Sequence, residues 1–281
     1  MVLALLVPLE AARAAPLKLA TWNLEWLTAR PAGDPALPAD VVPKTAADIT
    51  RLRRYADILA ADVVAFEEVD GPQVAAEVFA PDRYVLHMTQ DRVVQRVGLA
   101  VRRGIAFTAN PDLTALDLYP HAHFPLRSGA DITLHLRSGA LRILAVHLKA
   151  GCRQDRLTDR RRPACATLGA QLPPLRAWIA ARRAEGVAFV VMGDFNRWMD
   201  GRDRFWPALE QAATLRRATA GLSSPCWGGG GFIDHIIAGG SAIGWMRPDS
   251  LRVLVYRETG RAAKEHLSDH CPVSVTLQPP D

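Results

Sequence analysis

The sequence predicts an α/β protein with two mixed, mainly antiparallel sheets packed face to face and helices on their outer surfaces. Three observations point to this. The chain is rich in short apolar runs of strand length. Its helical stretches fall between strand pairs and not after every strand, which argues against a simple alternating βαβ sheet. Hairpin signals recur, as where Arg137-Ser138-Gly139-Ala140 separates two apolar runs. A chain of 281 residues, 49% of them hydrophobic, can build such a core as a single domain, expected over residues 15–281.

The elements follow in order. Residues 18–23 mostly alternate and end on Asn23, a first strand. Residues 31–43, rich in Pro, Ala and Gly, form a surface loop. Over 44–60, Ile49, Leu52, Ala56 and Leu59 recur at helical spacing and would form the buried stripe of a helix. Residues 62–66 make a buried strand that delivers Glu67 and Glu68. Asp70-Gly71-Pro72 is a turn, with Pro72 placed to open a short helix through Phe79. Residues 84–87 and 97–101 pair around a polar loop at Gln90-Asp91-Arg92. The stretch 103–130, interrupted by Pro, shows no clear period. Residues 132–136 and 141–148 form a hairpin whose second strand ends at His147. Residues 164–185 are helical, with Leu175, Trp178 and Ile179 inward and Gly186 as the stop; Pro173-Pro174 kinks the helix or starts its main part. A buried strand at 187–192, a short helix at 203–211 and strands at 232–237, 251–256 and 273–277 complete the set. The glycine run 228–231 lacks the Gly-Lys-Ser/Thr ending of a P-loop and reads as a flexible connection.

Polar chemistry collects where the apolar runs stop. In Gly193-Asp194-Phe195-Asn196 a carboxylate and a carboxamide two residues apart point to the same side of the chain. Asp and Asn after a strand are ordinarily turn formers. The stretch gains meaning from others like it: Thr21-Trp22-Asn23-Leu24-Glu25, Phe66-Glu67-Glu68-Val69, His147-Leu148-Lys149, Ile233-Asp234-His235 and Ser268-Asp269-His270. In chain order they supply Asn, Glu, His, Asp-x-Asn, Asp and Asp-His. This ordered set resembles the endonuclease/exonuclease/phosphatase superfamily, from about residue 17 to about residue 277. The resemblance implies a four-layer α/β/β/α sandwich and a metal-dependent phosphoesterase.

The residue types suit that chemistry. Glu68 and Asn23 are hard oxygen donors for a divalent cation, Mg²⁺ or Mn²⁺ with Ca²⁺ as a further option, and the resemblance lets Asp269 approach the same ion directly or through water. Asp194 can orient or deprotonate a water, and the amide of Asn196 can donate to a phosphoryl oxygen. His147 and His270 are donors that could bridge a scissile phosphate, and Asp234 is the expected carboxylate partner of His270. One departure concerns His147. Pancreatic-type nucleases pair this His with a Glu, but Gln95-Arg96-Val97-Gly98-Leu99-Ala100 offers no carboxylate. Nor is there a counterpart of the catalytic Tyr of apurinic endonucleases, so His147 is expected to act mainly as a phosphate hydrogen-bond donor. Glu67 stands where relatives often carry Gln and is given no catalytic role. His87, His121, His123, His135, His235 and His266 read as structural.

The net charge of +5 and pI of about 9.3 suit a polyanionic partner, nucleic acid bound through its backbone without base reading. No run of roughly 20 apolar residues is present, so no membrane insertion is expected. Residues 2–7 are apolar, and Ala12-Arg13-Ala14 places small residues where a signal peptidase reads; residues 1–14 are therefore read as a secretory signal, the alternative being an amphipathic first helix. Four cysteines and no Cys-x-x-Cys pair argue for disulfides, Cys152–Cys165 and Cys226–Cys271, in a periplasmic or extracellular monomer. The leading expectation is a nuclease. A phosphomonoesterase or phospholipid-headgroup hydrolase is the alternative among enzymes. A silent binding protein on the same scaffold is remote, since gathering these carboxylates near an anionic ligand needs a cation between them.

Overall fold

The computed structural model describes residues 14–159, 161–199, 201 and 203–281. Apart from Ala14, the expected secretory signal lies outside the described residues. Four strands come first, β1 (Leu17–Leu27), β2 (Val63–Val69), β3 (Tyr84–Met88) and β4 (Arg96–Arg102). Next come β5 (Phe107–Ala109), β6 (Ala130–Leu136), β7 (Gly139–His147), β8 (Ala188–Asp194) and β9 (Leu215–Arg217). A small hairpin of β10 (Ser223–Ser224) and β11 (Gly230–Gly231) precedes β12 (Asp234–Gly239), β13 (Arg252–Val253) and β14 (Val273–Leu277). One six-stranded sheet runs β13-β14-β1-β2-β4-β3 and the other β5-β6-β7-β8-β12-β9.

Each sheet has one parallel pair, β1 with β2 and β7 with β8, and is otherwise antiparallel. A parallel pair needs a crossover, and helices α1 (Ala46–Leu59) and α3 (Pro163–Ala184) supply it. The remaining helices are short: α2 (Pro72–Val78), α4 (Phe205–Glu210), α5 (Ala242–Trp245) and α6 (Arg261–His266).

The period-2 alternation of the strands sorts the apolar side chains into layers. Leu19, Val63, Ala65 and Leu99 of one sheet meet Ile132, Ile143, Val190 and Met192 of the other in a fully buried layer between the sheets. Residues of opposite parity, among them Trp22, Val64 and Phe66, pack on Leu52 and Leu59 of α1 and Val74 of α2. On the far side, Leu144, Val146 and Val191 pack on Leu168, Leu175 and Trp178 of α3 and on Phe205 of α4. The order is therefore helix, sheet, sheet, helix, as expected. Each fully buried Leu, Val or Phe side chain contributes about 1.5–3 kcal/mol, so these layers dominate the stability.

Local chemistry sets the element ends. Thr45 and Asp48 form a capping box on α1, and His266 Nδ1 reaches Asp48 Oδ2 at 3.0 Å, tying α6 to α1. Pro173 and Pro174 lie inside α3, whose 22 residues run on through them. Of the run expected at 251–256, only Arg252 and Val253 pair, because Tyr256 turns into the core beneath Trp22 and donates its hydroxyl to His270 O. Both expected disulfides are present, Cys152–Cys165 and Cys226–Cys271. Behind the first, the buried Arg197 guanidinium binds Cys152 O, Asp155 O and Asp203. Among the described residues no helix is long and apolar enough to cross a membrane.

Candidate active site

The two parallel pairs end side by side. In β1/β2, Asn23 is in register with Glu67; in β7/β8, His147 is in register with Asp194. The carboxyl ends of parallel strands are where α/β folds place ligands, because the crossover helices leave a crevice there. Antiparallel β12 adds Asp234 opposite Asp194. The turn before β14 brings in Asp269 and His270, locked by Ser268 Oγ, which donates to Asn23 O at 2.7 Å and accepts from His270 N at 3.0 Å.

A bulge in β2 aims the metal-type carboxylate. The ladder of β2 with β4 skips from Phe66 to Val69, and Glu68 has φ +62°. A non-glycine residue in that region costs about 1 kcal/mol. Glu67 keeps the inward parity of Val63 and Ala65. The bulge turns Glu68 from the helix side to the sheet edge, where its Oε1 accepts from Asn23 Nδ2 at 3.1 Å and its Oε2 from Trp26 N at 3.2 Å. Gly193 serves the same edge. A Cβ there would lie 1.9 Å from Val146 O, and its φ is +145°, so this Gly lets β8 press against β7 and does not make room for a ligand.

Asp194 is the hub. Its Oδ1 accepts from Asn196 N at 2.7 Å, and its Oδ2 accepts from Asn196 Nδ2 at 3.0 Å and from Asn23 Nδ2 at 3.1 Å. His147 Nε2 lies 3.6 Å from Asp194 Oδ2 and 3.6 Å from Glu68 Oε1. His270 Nδ1 sits 3.0 and 2.9 Å from the two oxygens of Asp234. Its Nε2 faces Asp194 Oδ2 at 3.8 Å and Asp269 Oδ1 at 3.6 Å. All eight residues singled out in the sequence, Asn23, Glu68, His147, Asp194, Asn196, Asp234, Asp269 and His270, thus converge on one cluster. Two details refine their reading. Both amide protons of Asn196 are engaged, on Asp194 and on Leu148 O, so this side chain orients Asp194. The carboxamide oxygen of Asn23 accepts from Glu25 N at 2.9 Å, and its NH₂ is what faces the two carboxylates.

The two histidines hold opposite charge states. Burial drives His147 well below its ordinary value, reinforced by the Arg127 guanidinium and the His270 imidazolium. Its Nδ1 is buried with no partner among the described residues, as the missing carboxylate at 95–100 leads one to expect. Burial also works against charge on His270, but the carboxylates of Asp234, Asp194 and Asp269 outweigh it and hold that ring protonated. Burial raises Asp194 to about 7, against the pull of His270. Glu67, fully buried and, among the described residues, accepting only from Thr21 Oγ1 at 3.1 Å, is pushed well above the carboxylate range by burial and by Asp234 and Asp194. A protonated Glu67 adds no negative charge beside Asp234 and Asp194.

Three contributors escaped the sequence reading. Arg127, just before β6, is buried and feels the carboxylates of Glu68 and Asp194; it lies in the stretch 103–130 that has no period, and an Arg in an apolar Pro-Leu-Arg-Ser-Gly run was its only trace. Glu25 accepts from Asp269 N at 2.9 Å, and Lys44 lies 3.8 Å from Glu25. On the His270 side the cluster opens into a cleft lined by Arg153, Trp198, Trp227 and Lys264. Beside it, Arg127 ends an apolar cleft lined by Trp26, Val93 and Phe124. Of the histidines read as structural, His235 is buried between Thr219 Oγ1 and Arg197 O, and His135 Nε2 meets Thr108 Oγ1 at 2.7 Å.

Comparison with known proteins places the fold. No curated protein matches the chain. Solved structures of similar fold include TDP2 from D. rerio complexed with a single-strand DNA product, at 14% identity and TM-score 0.60 over 93% of this chain and 98% of that one. The human Nocturnin catalytic domain with bound sulfate matches at 16% identity and TM-score 0.57, covering 93% of each chain. The 3′ phosphatase NExo from Neisseria, a single-site variant bound to a product DNA hairpin, matches at 13% identity and TM-score 0.58 over 93% of this chain and 99% of that one. The family model described as "Endonuclease/Exonuclease/phosphatase family" matches residues 20–270, and the chain belongs to that family of phosphoesterases.

Proposed function

We propose that this protein is a divalent-metal-dependent phosphodiester hydrolase, a nuclease that works as a monomer in the periplasm or outside the cell. The observation that carries the reading is the cluster around Asp194. It combines a buried carboxylate whose pKa is about 7, a neutral histidine and a cationic histidine within 3.8 Å of it. The similar folds that bind DNA products or a DNA hairpin, and the two disulfides, support the substrate class and the location.

The residues fit a hard cation. Glu68, Asp194, Asp234 and Asp269 lie within one cluster, with His270 and Arg127 as its cationic side chains, and both oxygens of Glu68 point to the sheet edge. Asp194, Asp234 and His270 also stand close enough to share an ion. A protonated imidazole is no ligand, so that trio reads better as a proton relay, with the ion held by Glu68 and assisted by Asp269; Asn23, expected from the sequence as a ligand, turns its NH₂ to Glu68 and Asp194 and orients them instead. Such a Mg²⁺ or Mn²⁺ ion, or Ca²⁺, would neutralise charge on the phosphoryl and leaving oxygens.

The side chains then divide the work. Asp194, fixed by Asn196, takes the proton of the attacking water, and its raised pKa suits a base near neutral pH. His270, held cationic by Asp234, donates its Nε2 proton as the P–O bond breaks. His147 donates Nε2–H to a phosphoryl oxygen, and Arg127 adds positive charge beside it. The substrate class is tested by offering the folded protein, in Mg²⁺, supercoiled plasmid, p-nitrophenyl phosphate and sphingomyelin vesicles side by side. Fastest turnover of the plasmid is expected; turnover of only the monoester or the lipid would refute the nuclease reading.

A further inference from the structure

Apart from Arg127, the lining of the cleft on the Arg127 side has no part in the chemistry above, yet the cleft lies beside it. Its lining is apolar and aromatic, with Trp26, Val93, Val94, Phe124 and Pro125 ending at Arg127. Trp26 lies on β1 just beyond Asn23, and its backbone N–H donates to Glu68 Oε2 at 3.2 Å. Arg127 lies at one end of this lining, and Trp26 ties the cleft to the edge that carries the catalytic carboxylates. The lining also carries Arg92, whose charge favours a polyanion.

The walls are braced. Ser128 donates from N and Oγ to Asp91 at 2.8 and 2.6 Å, and Arg127 donates to Gln95. Asp117 Oδ1 accepts from Tyr119 N and Leu126 N, closing the neck of the loop whose tip presents Phe124. The Phe124 ring is 57% exposed, a large apolar group facing water beside the cleft. The cleft holds about 330 Å³, enough for one planar group and far too little for a duplex.

We infer that this cleft binds an unpaired nucleobase next to the scissile phosphate, stacked between the Trp26 and Phe124 walls, so that the enzyme prefers single-stranded or locally opened nucleic acid. The inference rests on the nuclease reading above. Every base offers a flat face to an aromatic ring, so this contact is tolerant of sequence. In a duplex both faces are covered by neighbouring bases. Arg92 and Arg127 match the phosphates that flank a base along a strand. The opposite cleft, with Arg153 and Lys264 beside Trp198 and Trp227, suits the continuing backbone.

The test is fluorescence anisotropy of the full chain in Mg²⁺, with Asp194→Ala as the non-cleaving background. The probes are a labelled single-stranded DNA oligonucleotide and its blunt duplex. Tighter binding of the single strand is expected, and adding Phe124→Ala should weaken it about tenfold while narrowing the gap to the duplex. Phe124 is exposed, so the fold should survive; a 5-iodouracil strand, which should photo-crosslink to Trp26 or Phe124, gives a readout that needs no variant. Equal binding of strand and duplex with no effect of Phe124→Ala, or crosslinks confined to Trp198 and Trp227, would overturn the assignment and leave the nuclease reading standing. Failure of the wild type to cleave any nucleic acid, together with release of sphingomyelin vesicles by Phe124→Ala, would remove both readings and mark the cleft as a lipid site.

Discussion

Breaking the Cys226–Cys271 bond should cost this protein more stability than breaking Cys152–Cys165. The first bond closes a loop with a sequence separation of 45, the second one of 13. In the chain-entropy picture those lengths correspond to about 4 and about 3 kcal/mol lost from the folded state at 25 °C. The larger value has a local reason as well. Cys271 directly follows His270, and Cys226 precedes Trp227, which stacks on Tyr256 and donates from Nε1 to Ser268 O at 2.9 Å. The bond therefore holds the His270 turn to the loop that walls its cleft. The assay is urea unfolding of the wild type, of Cys226→Ala/Cys271→Ala and of Cys152→Ala/Cys165→Ala, followed by intrinsic fluorescence. A loss below about 1 kcal/mol for the Cys226/Cys271 pair, or a larger loss for the other pair, would refute the reasoning.

Other consequences are as specific. Gly193→Ala places a Cβ 1.9 Å from Val146 O in the middle of a sheet; it should cost more than about 3 kcal/mol, read by the same unfolding assay, and a near-neutral result would contradict the close approach. His235 is buried neutral, with its pKa lowered to about 3 by burial. The unfolded chain binds a proton near 6.5 and the folded one only near 3. The stabilisation is therefore full above about pH 6.5 and declines as pH falls toward 3, by at most about 5 kcal/mol; a pH-independent unfolding free energy between 6.5 and 4 would exclude this. Asp234→Asn keeps the shape but removes the charge that holds His270 protonated; turnover should fall on the order of a thousandfold, and a rate within tenfold of wild type would remove Asp234 from the relay.

Much of this architecture was legible in the chain. The continuous apolar run of β8, buried on both faces, and the helical stripe of α1 come from burial, which imposes its pattern directly on the residue types. The cluster was legible because its members terminate apolar runs in a set order; that both parallel pairs end at the same edge is what the structure adds. What stayed hidden depends on backbone detail without a residue-type signature. The β2 bulge places a left-handed Glu68 where no glycine advertises it. Arg127 reaches the site from a Pro-interrupted stretch whose path is fixed by Asp91 and Asp117, not by any period. The run at 251–256 was read as a full strand because its composition is strand-like, yet Tyr256 leaves the sheet to bind Trp22 and His270. Asn196 could be placed at the site from sequence, but its engagement with Asp194 depends on a φ of +52° that only the structure reveals.

The central claim is that Asp194 and a divalent ion act together on a phosphodiester. The most direct measurement is the rate of supercoiled plasmid nicking by wild type and by folded Asp194→Ala, each in Mg²⁺ and after chelation. Nicking is predicted only for the wild type with Mg²⁺ present. Nicking that survives the chelator, or that Asp194→Ala performs at the wild-type rate, would contradict it.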